Sequence, residues 1–146
     1  VSKEAERIYL TNKMKARAGE LGFPISYPNQ PFDIPVNATY GEFHIMSGPR
    51  PIIVGGEGVG RVRVRYVGMV QLTVFVPKEK GTKKAALAQD IFKQIFQFKL
   101  GRDEEQSSYK FGVIQDYTPE TKAGWECFVA RVTFQRDTVE AVQISE

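Results

Sequence analysis

Residues 61–77 read Arg61-Val-Arg-Val-Arg-Tyr-Val-Gly-Met-Val-Gln-Leu-Thr-Val-Phe-Val-Pro77, and Lys78-Glu-Lys-Gly-Thr82 leads from them into a helix-patterned segment. The even positions Val62, Val64, Tyr66, Val70, Leu72, Val74 and Val76 are apolar, broken only by Gly68. Period two over that length predicts one long strand with a continuous hydrophobic stripe. The odd positions begin Arg61, Arg63, Arg65 and turn apolar only at Val67, Met69 and Phe75. The first half is therefore expected to project with one wet, basic face, and the second half to be buried on both sides. Pro77 cannot donate to a ladder and ends the strand. Gly81 and Thr82 open a helix, with Thr82 as N-cap. Its positions Ala85, Ala88, Ile91, Phe92, Ile95 and Phe96 form a stripe at helical spacing.

Upstream, Ser2 to about Gly19 is patterned as a helix, with Glu4 and Glu6 near its start and Lys13, Lys15 and Arg17 near its end, as the helix dipole favours. Its apolar stripe, Ala5, Ile8, Tyr9, Asn12 and Ala16, is thin, so it should cover a sheet loosely or share its contact surface with another chain. Residues 23–35 carry prolines at 24, 28, 31 and 35, which forbid helix and leave an extended arm with a short edge strand around Ile25–Tyr27. Phe23, Tyr27 and Phe32 either pin this arm to the domain or touch a neighbouring subunit. Thr39–Met46 reads as a strand that pairs antiparallel with the long one. The glycine- and proline-rich segment between them, 47–62, is a protruding hairpin tip with an oddly apolar Ile52-Ile53-Val54.

Downstream, residues 99–108 form a polar loop, Tyr109–Tyr117 a strand, and Trp125–Arg136 the last strand, with Phe128, Ala130, Val132 and Phe134 on one face. Residues 137–146 read as a polar tail that is loose or pairs with something outside the domain. The predicted class is α+β: one domain over 1–146, with an antiparallel sheet of about four main strands. Two helices cover one face of it, joined by a long β-hairpin and an extended N-terminal arm.

The chain has 146 residues, 42% hydrophobic and 25% charged, enough for one core without disulfides. No apolar run is long enough to cross a membrane. The net charge of +3 is too small to imply nucleic acid by itself. One cysteine, Cys127, and one histidine, His44, give neither a metal set nor a nucleophile–base pair. Cys127 reads as a buried small hydrophobe and His44 as structural or interfacial. Asp103, Glu104 and Glu105 read as a solvated acidic loop. The run Gly55-Gly-Glu-Gly-Val-Gly60 lacks the Lys-Ser/Thr of a phosphate loop and precedes a strand rather than a helix. No cofactor, metal or catalytic residue is assigned, and an enzyme is not expected. The strongest charge feature is Arg61, Arg63 and Arg65, with Arg50 across the hairpin and Lys78, Lys80, Lys83 and Lys84 at the helix start. It is a solvated edge that guards against aggregation, a contact for an acidic protein surface, or a phosphate-binding surface.

The order of signals resembles the tail terminator (tail completion) proteins of long, non-contractile-tailed bacteriophages. The resemblance rests on the arm Tyr27-Pro-Asn-Gln-Pro-Phe32, the junction Phe75-Val-Pro-Lys-Glu-Lys-Gly-Thr82 and the closing Trp125-Glu-Cys-Phe-Val-Ala-Arg-Val-Thr-Phe134. It implies a structural virion protein, made in the bacterial host cytoplasm and placed at the head-proximal end of the tail. Such a subunit forms a hexameric ring that caps the tail tube, ends its polymerisation and joins it to the head. The implied partners are further copies of the chain, the tail tube protein and a head-completion or connector protein, with no membrane and no specific nucleic acid. Within that frame Arg50, Arg61, Arg63, Arg65, Lys78 and Lys80 are candidates for ring stacking or partner contact. Tyr27, Phe32, Ile52, Ile53 and Val54 are candidates for subunit contact. The alternative functions are another neck or head–tail joining subunit, or a basic nucleic-acid-binding module.

Overall fold

The structure is a computed structural model that describes residues 3–48 and 51–142. Two helices, α1 (Lys3–Lys15) and α2 (Lys83–Phe96), lie on one face of a single sheet. The central strands are β4 (Arg61–Pro77) and β9 (Trp125–Ala141), antiparallel over 17 residues with no break in register, from Arg61↔Ala141 to Pro77↔Trp125. On the far side of β4 lie β2 (Tyr40–Ser47), antiparallel to it, and the two-residue parallel strand β1 (Ile25–Ser26). Further along, the same edge of β4 carries β3 (Ile52–Gly56). The other edge of β9 carries β6 (Ser108–Phe111), β7 (Gln115–Asp116) and β8 (Glu120–Lys122), and β5 (Leu100–Arg102) lies outside β6.

The α+β class, the two helices on one face and the pairing of β2 with β4 follow the patterning. Four main strands understates a sheet of nine among the described residues. The missing ones are short, two to five residues each, and short edge strands show no periodicity. Residues 109–117 are two short strands: Gly112 still bonds to Thr133 in the register of β6, but pairing with β9 resumes only at Gln115↔Arg131, shifted by one residue. The last strand does not stop at Arg136. Asp137–Ala141 continues it against Arg61–Arg65 of the same chain, so this part of the 137–146 tail is neither loose nor waiting for an outside partner. Residues 143–146 lie outside the described residues.

The helix-facing stripe of β4 matches the reading: Val70, Leu72, Val74 and Val76 are all buried, beside Phe128, Ala130, Val132 and Phe134 of β9. Gly68 interrupts this stripe because a Cβ there would lie 2.7 Å from the Phe134 ring and 2.7 Å from the Met46 carbonyl oxygen. Phe96 of α2 meets Phe92, Phe111 and Phe43 at ring-centroid distances of 5.0, 5.4 and 6.1 Å. Thr82 takes the N-cap position of α2 but makes no side-chain capping bond. The α1 stripe is a correction. Leu10 and Met14 point inward with Ala5, Glu6 and Thr11, while Ile8 is half-buried and Asn12 and Ala16 are exposed. Leu10 and Met14 bury more apolar surface than the thinner stripe would, and that decides the rotation of the helix.

The opposite face of the sheet carries no helix. Burial of β4 on both sides therefore holds only at its end: Thr73 is buried, Phe75 and Met69 are half-buried and Val67 is exposed. Here Tyr40 stacks on Phe75 at 4.7 Å, with Trp125 edge-on to Tyr40 at 5.2 Å. The arm wraps the β2 edge from one face to the other. Tyr27 packs toward Phe43 on the helix side, and Phe32 lies 5.8 Å from Tyr40 on the open side.

Candidate functional site

Beyond Arg65 the sheet narrows to three strands, β3, the start of β4 and the end of β9, which form a tongue. Residues 51–61 are exposed without exception. Ile53 is 70% accessible, Ile52 and Val54 are also exposed, and Val59 stands fully in solvent at the turn. Val139 and Val142 add apolar surface on the neighbouring strand. Ile52 and Ile53 alternate between the two faces of β3, so apolar surface is bare on both sides of the tongue. The tip is tighter than a flexible 47–62 loop, because β3 pairs with β4 and Glu57 N–H donates to the Arg61 carbonyl. Gly58 and Gly60 take positive φ there, 99° and 75°, which the turn requires.

The basic stripe is not an edge, since β4 is flanked on both sides, and most of it is neutralised within the chain. Arg65 donates to both carboxylate oxygens of Asp137, at 2.9 and 3.0 Å, and Arg63 meets Glu57 at 2.5 Å. These acids come from a turn and from the unforeseen end of β9, so the sequence concealed the pairing. Arg61 is exposed and has no ion pair among the described residues; Lys78 and Lys80 are exposed at the other end of the sheet, about 50 Å away by strand rise. The structure therefore does not gather the six cations into one patch, and Arg50 lies outside the described residues. Tyr27 and Phe32 are half-buried against their own domain, with the Lys15 ammonium 5.0 Å from the Tyr27 ring centre. Ile52, Ile53 and Val54 are brought together and left open.

The root of the tongue is the polar centre of the molecule. Arg136, almost fully buried under α1, lies 3.3 Å from the Glu6 carboxylate and 4.5 Å from the Tyr66 ring centre. Burial pushes the Glu6 carboxyl above its ordinary range, against the attraction of Arg136. Nearby, Asp103 is no solvated loop residue. It is buried and accepts bonds from the Glu105 and Ser107 N–H groups and, at 2.9 Å, from the Tyr109 hydroxyl. Tyr109 stacks on Tyr9 of α1 at 4.3 Å. Burial and the bond to Asp103 push the Tyr109 phenol far up. No sequence pattern announced this network, because its members come from three separate segments.

On the open face, a cavity of about 350 Å³ is lined by Glu42, His44, Gln71, Tyr117, Cys127 and Arg131. Glu42 and His44 lie side by side at 3.0 Å, as their shared strand face predicts. Arg131 spends its guanidinium on the Gln71 side-chain oxygen at 2.9 and 2.6 Å. Cys127 is buried, and burial pushes its thiol up, away from the thiolate that nucleophilic chemistry needs. Among the described residues no group of three His, Cys, Asp or Glu side chains could hold a metal ion. The tongue carries Ile52, Ile53, Val54, Val59 and Val139 among the exposed large apolar side chains.

A family described as phage tail terminator protein matches residues 8–123. The chain belongs to that family. The match covers the arm, β3, β4 and α2 but stops short of β9, and makes the chain a structural protein of the bacteriophage tail. A solved structure at 17% sequence identity covers 100% of this tail terminator protein and 99% of its own chain, with a TM-score of 0.71, which shows a shared fold. No curated protein matches the sequence.

Proposed function

We propose that this tail terminator protein closes into a hexameric ring on the head-proximal end of the tail tube. The ring stops tube polymerisation and offers its other side to a head-completion or connector protein. The observation that carries this reading is the group of bare apolar residues on the tongue of a tail terminator family member. A subunit that stayed alone would expose Ile52, Ile53, Val54 and Val59 to water at a cost in solubility. Heterologous contacts repeated around a closed ring remove them from it. Arg61, Lys78 and Lys80 remain available for contacts with acidic surfaces on the rings above and below, while Arg63 and Arg65 hold the tongue to itself. The internal pairing of those two arginines also weakens the nucleic-acid alternative, which needs unpaired cations for phosphates.

The test adds the purified protein to tail tubes growing without a terminator, with tube length read by electron microscopy and protein mass by light scattering. Growth that stops, with a ring at one tube end, is the expected result. Tubes that lengthen unchanged while the protein stays monomeric overturn the reading.

A further inference from the structure

One row of paired residues crosses the sheet at the tongue root: Ile52, Arg65, Asp137, Ser108 and Arg102, on β3, β4, β9, β6 and β5 in turn. At this level β3 and β5 are the two outermost strands, and each is paired on one side only. Four antiparallel steps separate them, so they run in the same direction. Natural sheets defend such edges with charge, proline or a covering element. Residues 52–56 of β3 carry no charge, and β5 carries only Arg102.

We propose that β3 of one copy adds in parallel to β5 of the next, so that the sheet continues from subunit to subunit around the assembly. This rests on the ring reading and names the surfaces that close it. The two edges match at both ends. At their starts, Ile52 and Ile53 would meet Phe98 and Leu100, which are 69% and 75% exposed with no apolar cover in the subunit. At their ends, Arg61, the first residue of β4 just past the tongue turn, would meet the loop after β5, where Glu104 is exposed; neither residue has an ion pair among the described residues. Opposite charges at one end and apolar side chains at the other fix the direction of the pairing, and an antiparallel arrangement would set apolar against charged at both. A stagger of two residues, about 7 Å, sets Ile52 beside Leu100. Backbone bonds supply affinity and the alternate side chains supply register, as in strand addition generally. A self-complementary dimer through β3 alone would run antiparallel and set the apolar start of one copy against the Arg61 end of the other.

The test is a disulfide between the two edges, in a Cys127→Ala background. Ile52→Cys with Leu100→Cys in one chain is expected to give, on mild oxidation, a ladder of covalent multimers ending at one closed size. Either substitution alone gives none. Ile53→Asp is expected to raise the protein concentration needed for half-assembly by about tenfold or more, with the circular dichroism of the subunit unchanged. A covalent dimer from Ile52→Cys alone overturns the proposal, since β3 would then be pairing with itself. Rings of the parent protein that give no ladder in the double variant overturn the edge assignment and leave the ring reading standing. A parent protein that stays at monomer mass at every concentration, with and without tail tubes, removes both.

Discussion

The body and the tongue are spanned by the same two strands, β4 and β9, and differ in what lies beside and above them. From Tyr66 to Pro77 β4 has β2 on one side and the helix layer over its even positions, and those positions are nearly all inaccessible. From Arg61 to Arg65 the strand has only β3 and β9, and every residue but Val64 is at least partly accessible. The same backbone pairing thus serves two ends. In the body, side chains stabilise the fold; in the tongue, hydrogen-bonded backbone and two ion pairs hold a strip of apolar surface out in solvent. Pairing alone does not bury a residue; a second layer does.

That contrast can be broken in three places. The largest effect is expected from Phe96→Ala, which empties the centre of the aromatic cluster under both helices. It should cost about 4 kcal/mol in urea unfolding, with assembly lost only because the subunit unfolds. A smaller loss, about 2–3 kcal/mol, is expected for Asp103→Ala, which leaves the buried Ser107 N–H and the Tyr109 hydroxyl without their acceptor. Tyr109→Phe keeps the ring on Tyr9 and should cost only about 1 kcal/mol in the same measurement. If the two variants were equal, the Tyr109 hydroxyl bond would carry the whole effect and the Ser107 bond none. The smallest change in stability is expected for Ile53→Ser, within about 0.5 kcal/mol by thermal melting, because nothing in the subunit covers that side chain. A large loss there would mean that the tongue is part of the folding core, and the contrast would fail.

The body was legible where patterns were long. The stripe Val70 to Val76, the helix from Ala85 to Phe96 and the face Phe128 to Phe134 each repeat often enough to fix both the element and its buried side. The tongue was legible only in part. Ile52-Ile53-Val54 announced an exposed apolar segment, yet nothing marked Asp137–Ala141 as a strand, since Val139 is its one large apolar residue and its partner Arg61–Arg65 is polar on one face. Such a strand is placed by register inherited from the buried part of the ladder, not by its own side chains. The same holds for Arg65 with Asp137 and Arg63 with Glu57. Opposite charges can be seen in a sequence, but which acid meets which arginine follows from an alignment set elsewhere. In α1 two stripes competed, and the larger volumes of Leu10 and Met14 settled the rotation. The Asp103 cluster was illegible because a loop, the strand β6 and the distant helix α1 build it together.

The unbroken 17-residue run of β4 against β9 has a mechanical meaning. Its length is about 55 Å, from the helix-covered end to the tip. Tension applied at the tip is directed along the strand axes, so it loads the flanking hydrogen bonds of β2 and β6 in shear, many at once, rather than peeling them one by one. The two strands act as a tie-rod through the subunit. A pull on the tongue is carried into the packed body without a hinge on the way.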